Sequence, residues 1–515
     1  MKFKRSSGIL LHISSLPGPD GIGDLGAEAY HWINFLHESG TNLWQVLPLG
    51  PTGYGDSPYQ CFSAFAGNPY LISPALLLAD GLLTREALAK RPEFSPDIVD
   101  YGRVIDWKTY LLDYAYDQFR RKESGKLRKA YDKFVKKKSW WLEDFAIFMA
   151  IKEVNNEIAW SEWDRPLRLR EPDALERVKI DLAETIMRHK FRQFLFFRQW
   201  ENLHDYAHQK GIQIVGDIPI FVAHDSADVW ANPELFFMDE ERRPTVVAGV
   251  PPDYFSATGQ LWGNPLYDWK YHKKTGYKWW IKRLKSTFSL FDIVRLDHFR
   301  GFAAYWEIPA GEETAINGQW KKGPYDDFFK VISKAFDGKL PIIAEDLGEI
   351  TPDVFELRDK FKLPGMKVMQ FAFAGDCTDP FLPHNYQKNC VAYTGTHDND
   401  TTVGWYQNSS TEKERDFYRR YLARDGHEVA WDMIRAIWSS VADIAVAPLQ
   451  DFLNLGTEAR MNLPGTLGGN WQWRVQSHHL ADFLKKRIRE TNELYNRPDR
   501  RKSKYGANTV GNEDR

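Results

Sequence analysis

A short apolar stretch recurs eight times along this chain, set apart by amphipathic helical stretches, and few folds accommodate that rhythm. The apolar stretches are "GILLH" (8–12), "NLWQVLPL" (42–49), "IQIVGDI" (212–218), "FDIVRLD" (291–297), "LPIIAEDLG" (340–348), "MKVMQFAF" (366–373), "CVAYTGTHD" (390–398) and "ADIAVAPLQ" (442–450). Helical periodicity precedes several of them. "AEAYHWINFLHESG" (27–40) puts Trp32, Ile33 and Leu36 on one side and ends at Gly40, a C-terminal cap. "RHKFRQFLFFRQWENLHDYAHQKG" (188–211), "YKWWIKRLKSTF" and "YDDFFKVISKAF" read the same way, and Thr351 followed by Pro352 marks another helix start. Strands alternating with helices imply right-handed crossovers and a parallel sheet. Eight such units predict a closed (β/α)8 TIM barrel, and strands apolar along their whole length suit a sheet covered on both sides.

Two segments break the rhythm. Residues 61–187 carry long charged helices such as "KLRKAYDKFVKKKSWWLEDFAIFMAIKEV" (126–154), which predicts a mainly helical insertion after the second strand. "VPPDYFSATGQLWGNPLYDW" (250–269) reads as a long aromatic loop punctuated by Gly and Pro, and long loops of this kind are usually functional. The expected organisation is therefore first barrel units over 1–60, the insertion over 61–187, and the remaining barrel with its 250–269 loop over 188–497. The tail 498–515 is polar and expected to be disordered.

Composition narrows the partners. The 515 residues hold 43% hydrophobic and 27% charged side chains with a net charge of -2, so no basic excess exists to neutralise nucleic acid or an anionic membrane. The apolar run near the N-terminus is too short for a secretory signal, and no stretch approaches the length of a transmembrane helix. Three cysteines, Cys61, Cys377 and Cys390, make neither a CxxC pair nor a disulfide framework. These features predict a cytoplasmic, soluble protein. The 20 Trp, 23 Tyr and 32 Phe are an unusual share; some belong to the core, and an excess of Trp and Tyr also suits a surface that stacks on sugar rings.

Four of the apolar stretches end in carboxylates: Asp217, Asp297, Glu345 and Asp398, which are 80, 48 and 53 residues apart. In a barrel the C-terminal strand ends form one mouth, so these groups are expected to converge there. Arg295 and Asp297 are two apart and share a strand face, and a neighbouring guanidinium favours the ionised form of a carboxylate. An ionised Asp beside a neutral carboxylic acid is the working pair of a retaining glycosidase. Burying so much charge in "FDIVRLDHFRGF" is explained by a site that needs it. The Gly-rich "GPTGYGDSPYQ" lacks a P-loop Lys, and neither a GxSxG elbow nor an HExxH helix occurs. "THDND" lacks clustered histidine partners for a metal.

With "GILLHISSLPGPDGIGDLG", "LPLGPTGYGDSPYQCFSAFAGNPYLI", "GDIPIFVAHDSADVW", "VRLDHFRGF", "AEDLG", "TGTHDNDT" and "ARMNLPGT" in order from about Ser6 to about Val475, the chain resembles the amylomaltases. These 4-α-glucanotransferases, or disproportionating enzymes, belong to the α-amylase clan of (β/α)8 retaining enzymes. The resemblance implies that Asp297 is the nucleophile and Glu345 the general acid and then base. It implies that Asp398 holds hydroxyls of the distorted donor sugar, supported by His397 and Arg295, and that Asp217 binds substrate or supports the catalytic residues. Tyr59 matches an aromatic platform beside the reacting sugar. Tyr254, Phe255, Gln260, Trp262 and Asn264 match a loop overhanging the cleft, and Asn462 and Pro464 a loop on the donor side. Where α-amylases carry Asn-His after the aspartate matching Asp217, this chain has Phe221 and Val222, and no room remains for their C-terminal β-domain. Both departures favour transferase over amylase.

The implied substrates are α-1,4-glucans, maltooligosaccharides and glucose, with no metal or organic cofactor required. Water outnumbers any acceptor, so transfer demands a site that binds the acceptor and excludes water. The 250–269 loop and the Tyr59 segment are the expected enclosure. Two alternatives stand beside this reading: a hydrolase with an open water path on the same fold, and a non-catalytic glucan-binding protein.

Overall fold

Every one of the eight apolar stretches contributes a strand to one closed parallel barrel. The computed structural model describes residues 3–121, 124–252, 256–466 and 468–497. Tyr254, Phe255 and the tail 498–515 lie outside the described residues. In chain order the strands are β1 (Ser6–Leu10), β2 (Leu43–Gln45), β3 (Gln213–Pro219), β4 (Val246–Val250), β5 (Gln260–Pro265), β6 (Ile293–Asp297), β7 (Ala304–Pro309), β8 (Gln319–Lys322), β9 (Ile342–Ala344), β10 (Gly365–Val368), β11 (Cys390–Tyr393) and β12 (Ile444–Pro448). The barrel runs β1-β12-β11-β10-β9-β6-β3-β2 and closes where β1 pairs with both β12 and β2. All residues of β2, β9, β11 and β12 are buried, as strands with side chains inside the barrel and helices outside must be.

The expected helices form, with ends shifted by a few residues. Ala27–Glu38, Lys126–Val154, Lys278–Phe288 and Tyr325–Ala335 match their periodicities, while the helix read from 188 begins at Ala183 and runs to Gln209. It therefore passes without a break across residue 187. Thr351 does precede the helix Pro352–Lys360 as its N-cap, but its hydroxyl makes no capping hydrogen bond, and Pro352 stands at the first position. Between β2 and β3 the helices Tyr101–Arg120, Lys126–Val154 and Pro172–Asp181 pack with Ala183–Gln209. Buried Phe145, Phe148, Ile151 and Phe194 join one hydrophobic core continuous with the barrel.

Two features differ from expectation. The segment 250–269 contains a strand: β5 pairs antiparallel with β4, and with β7 and β8 they form a four-stranded sheet in the order β5-β4-β7-β8. Its strands are short and interrupted by Gly249 and Gly263, and β4 carries a register shift between Val247 and Gly249, so the period-2 signal is lost. Gly259 before β5 has φ +67°, and a Cβ there would stand 2.4 Å from the carbonyl oxygen of Val250. Only glycine lets the two strands approach this closely. The second difference concerns the aromatic surplus, most of which is structural. Trp32, Trp44, Trp160, Trp163, Trp200, Trp230, Trp280 and Trp438 are among the largest fully buried side chains.

Candidate active site

Strand pairing brings the charged residues of β3, β6 and β9 side by side. Asp217 stands opposite Arg295, and Pro219 opposite Asp297. Leu296 pairs with Ala344, so Asp297 and Glu345 are the next residues along two adjacent strands, which lie about 4.8 Å apart. The backbone continues this contact: the Glu345 N–H donates to the Leu296 carbonyl at 3.1 Å, and the Phe299 N–H to the Glu345 carbonyl at 3.0 Å. They stand at the C-terminal mouth, where β6 and β9 end.

Arg295 is 3% exposed and bridges two carboxylates. Its Nη1 donates to Asp217 Oδ2 at 2.7 Å, and its Nη2 lies 2.9 Å from Asp297 Oδ1. The Tyr59 hydroxyl donates to the same Asp217 oxygen at 3.0 Å. Burial, together with the charge of Asp217, pushes the Tyr59 phenol well above its usual range, so it remains a donor. Asp217 thus lies beneath the site as a brace for Arg295 and Tyr59, with Asp297, whose side chain is 28% exposed, above it and open to the cleft. Removing one partner of a buried pair strands the other's charge. Asp217→Ala is expected to destabilise the fold by about 3 kcal/mol, read as a lowered midpoint in denaturant. An unchanged midpoint would mean that Arg295 is held by Asp297 alone.

Glu345 accepts the His298 N–H at 2.8 Å on Oε2 and the Leu347 N–H at 2.8 Å on Oε1. Burial pushes its carboxyl up to about 7, helped by the negative charge of Asp297 and opposed by Arg295 and the two N–H donors. The adjacent carboxyls therefore have different environments: Asp297 is paired with a guanidinium, whereas burial raises Glu345 to about 7, so that a large share of it holds its proton at neutrality.

Across the mouth, the loop after β11 presents His397 and Asp398. Asp398 Oδ1 accepts from Asn462 Nδ2 at 2.6 Å, Oδ2 lies 3.3 Å from His397 Nε2, and its carbonyl accepts from Arg460 Nη2 at 2.7 Å. The remaining polar residues of "TGTHDNDT" hold this loop. Asn399 Oδ1 accepts both the N–H and hydroxyl of Thr396, and buried Asp451 accepts the hydroxyls of Thr394 and Thr402. The Tyr59 ring stacks on His397 with centroids 5.1 Å apart and planes 15° from parallel.

These residues line a cleft of about 550 Å³. Tyr59, Gln260, Trp262, Asn264, Arg295, Asp297, Glu345, His397, Asp398, Asn462 and Pro464 all face it. β5 supplies Gln260, whose Oε1 accepts the Trp262 indole N–H at 3.2 Å, and Asn264, whose Nδ2 donates to the Val222 carbonyl at 2.8 Å. The overhang is therefore held by a sheet and by a hydrogen bond to the segment that follows β3.

Three contributors escaped the sequence reading. His298 has a left-handed φ of 50°, a conformation uncommon outside glycine, and this turn aims its N–H at Glu345. Burial lowers its imidazole to about 4, so the ring is neutral, and its edge meets Trp262 at a centroid distance of 4.9 Å. Trp471, with φ 66°, packs within 5.9 Å of both Tyr59 and His397. His12, buried beside His397, is lowered to about 3 and accepts the Leu47 N–H at 3.2 Å. His298 adjoins the aspartate in "LDHF", a visible signal; Trp471 and His12 carry none beyond their residue type.

Against known proteins, residues 11–480 match the family model described as 4-alpha-glucanotransferase. A 4-alpha-glucanotransferase of Thermus thermophilus is 52% identical over 505 residues, covering 96% of this chain and 100% of that protein. One from Synechocystis sp. is 51% identical over 498 residues, covering 96% of this chain and 98% of that one. The solved structure of an amylomaltase from Streptococcus agalactiae in complex with acarbose superimposes with a TM-score of 0.92 at 41% identity, covering 96% of this chain and 100% of that one.

Proposed function

The chain belongs to the 4-alpha-glucanotransferase family, glycosyltransferase-type enzymes acting on α-1,4-glucans, and we propose that it moves glucan segments to glucose or another glucan through a covalent intermediate on Asp297. The observation that carries this reading is the pair on adjacent strands: Asp297 held by Arg295, and Glu345 raised to about 7. In the first half, Glu345 gives its proton to the bridging 4-oxygen, the C1–O4 bond breaks, and an Asp297 oxygen bonds to C1. The departing glucan leaves with a new 4-hydroxyl. In the second half the Glu345 carboxylate takes the proton of an acceptor 4-hydroxyl, whose oxygen bonds to C1 as the Asp297 ester breaks. Two inversions restore the α-configuration. The bond made equals the bond broken, so the exchange runs near equilibrium.

Asp398, tied to His397 and Asn462, is placed to grip sugar hydroxyls as C1 flattens, and Tyr59 offers an aromatic face beside it. Trp262 and Gln260 on β5 cover the opposite wall and shield the ester from water. The free thiols Cys61, Cys377 and Cys390 suit a reducing compartment, which supports action in the cytoplasm. Among the described residues no helix is long and apolar enough to cross a membrane.

Incubation with pure maltotriose tests the reading. Glucose and longer maltooligosaccharides at constant total reducing ends are expected; rising reducing ends with only shorter products would make the chain a hydrolase. Trp262→Ala is expected to raise the hydrolysed fraction severalfold by opening the β5 wall. An unchanged ratio of reducing ends to transfer products would take Trp262 out of the water barrier.

A further inference from the structure

At the other end of the barrel, the fold assembles three groups that the glucan chemistry does not use. His204 and His208 are one turn apart on the helix Ala183–Gln209, and both reach Asp292, the residue before β6. His204 Nε2 lies 3.2 Å from Asp292 Oδ2, and His208 Nε2 lies 2.7 Å from Asp292 Oδ1. All three ligand atoms fall within 4.8 Å of one another. The separations of 84 and 88 residues hid the grouping from the sequence, which led us to expect no metal.

We propose that His204, His208 and Asp292 form a binding site for a divalent transition metal of the Zn²⁺, Co²⁺ or Ni²⁺ type. Bonds of about 2.0–2.1 Å in a tetrahedral site set ligand atoms roughly 3.3 Å apart, and His204 Nε2 and Asp292 Oδ2 already stand 3.2 Å apart. Two imidazoles with one carboxylate favour these metals over Mg²⁺ and Ca²⁺, which take oxygen ligands. The metal takes the Nε2 lone pair of each neutral ring, whose single proton then sits on Nδ1. A fourth position remains for water. The carboxylate already has a supporting contact, the Ile214 N–H donating to Asp292 Oδ2 at 2.8 Å, and Trp200 packs on His204 with ring planes 9° apart. His208, with 46% of its side chain exposed, leaves the site open to solvent.

Asp292 and Asp297 bound the same strand, five residues at about 3.3 Å each, so the metal sits roughly 17 Å from the nucleophile position. It acts as a clamp, tying the end of the long helix to the barrel floor. Bound metal raises the melting temperature and leaves transfer unchanged.

The test titrates the untagged, chelator-stripped full chain with Co²⁺, following visible d–d absorption, then measures melting temperature with Zn²⁺. Saturation at one equivalent of Co²⁺ per chain and a Zn²⁺-dependent rise in melting temperature are expected. His208→Gln, on an exposed side chain, is expected to keep maltotriose transfer and lose both signals, weakening Co²⁺ by more than the roughly 10–100-fold that loss of a supporting contact costs. Asp292→Asn, whose amide oxygen still accepts the Ile214 N–H, is expected to match it. His31→Gln, at an exposed histidine elsewhere, is expected to bind like wild type. Equal binding by His208→Gln and wild type, or no Co²⁺ absorption in wild type, would overturn the site.

Discussion

Asp297→Asn is expected to lower the initial rate of maltotriose disproportionation by about 10⁴–10⁶-fold, the range seen when an enzyme loses its nucleophile. The amide has nearly the same shape as the carboxylate but forms no stable ester with C1, so the double displacement stops at its first bond. The loss is separable from unfolding. Arg295 keeps its 2.7 Å hydrogen bond to Asp217, and the Asp297 side chain is partly exposed, so no unpaired charge is buried. Thermal melting and circular dichroism are therefore expected to stay close to wild type while the rate collapses. A loss below about 100-fold in a folded variant, the scale of an auxiliary contact, would remove Asp297 from the nucleophile's role. It would leave Arg295 as the feature needing another explanation.

The barrel was legible because its strands are covered on both faces, and burial on both faces writes an uninterrupted apolar run. The ends were less legible. "MKVMQFAF" pairs only as far as Val368, because Met369–Phe373 turns into a short 3-10 helix. "LPIIAEDLG" stops at Ala344, which leaves Glu345 on the free rim. The carboxylates could be found because charge at the end of an apolar run is conspicuous. Their division of labour came only from the family resemblance, since its physical basis is a register: Asp217 falls opposite Arg295, one level below Asp297, and so braces the guanidinium from beneath the cleft. The sheet that carries Trp262 was hidden by glycines, and His298 by a backbone turn that no composition announces. The His204–His208–Asp292 cluster shows the same limit: spacing along one helix is visible, but the strand that meets it is not.

Glu345→Gln is expected to lower maltotriose transfer by roughly 10²–10⁴-fold, with a signature that distinguishes an acid–base from a structural residue. In the wild type the carboxyl is raised to about 7, so the protonated form that opens the glycosidic bond is dominant below that pH. It falls about tenfold per unit above. The rate of glucosyl-enzyme formation is therefore expected to decline on the basic side near pH 7, and Glu345→Gln to lack that limb. A maltosyl fluoride donor needs no proton on its leaving group, so the variant is expected to react with it at close to the wild-type rate. The ester then persists, because no carboxylate remains to deprotonate the acceptor. Intact mass should show one added glycosyl unit, and peptide mapping should place it on Asp297. A variant equally slow with the fluoride would point to lost positioning, since Glu345 also accepts the His298 and Leu347 N–H groups. A basic limb that survives the substitution would assign the titrating proton to another group in the cleft.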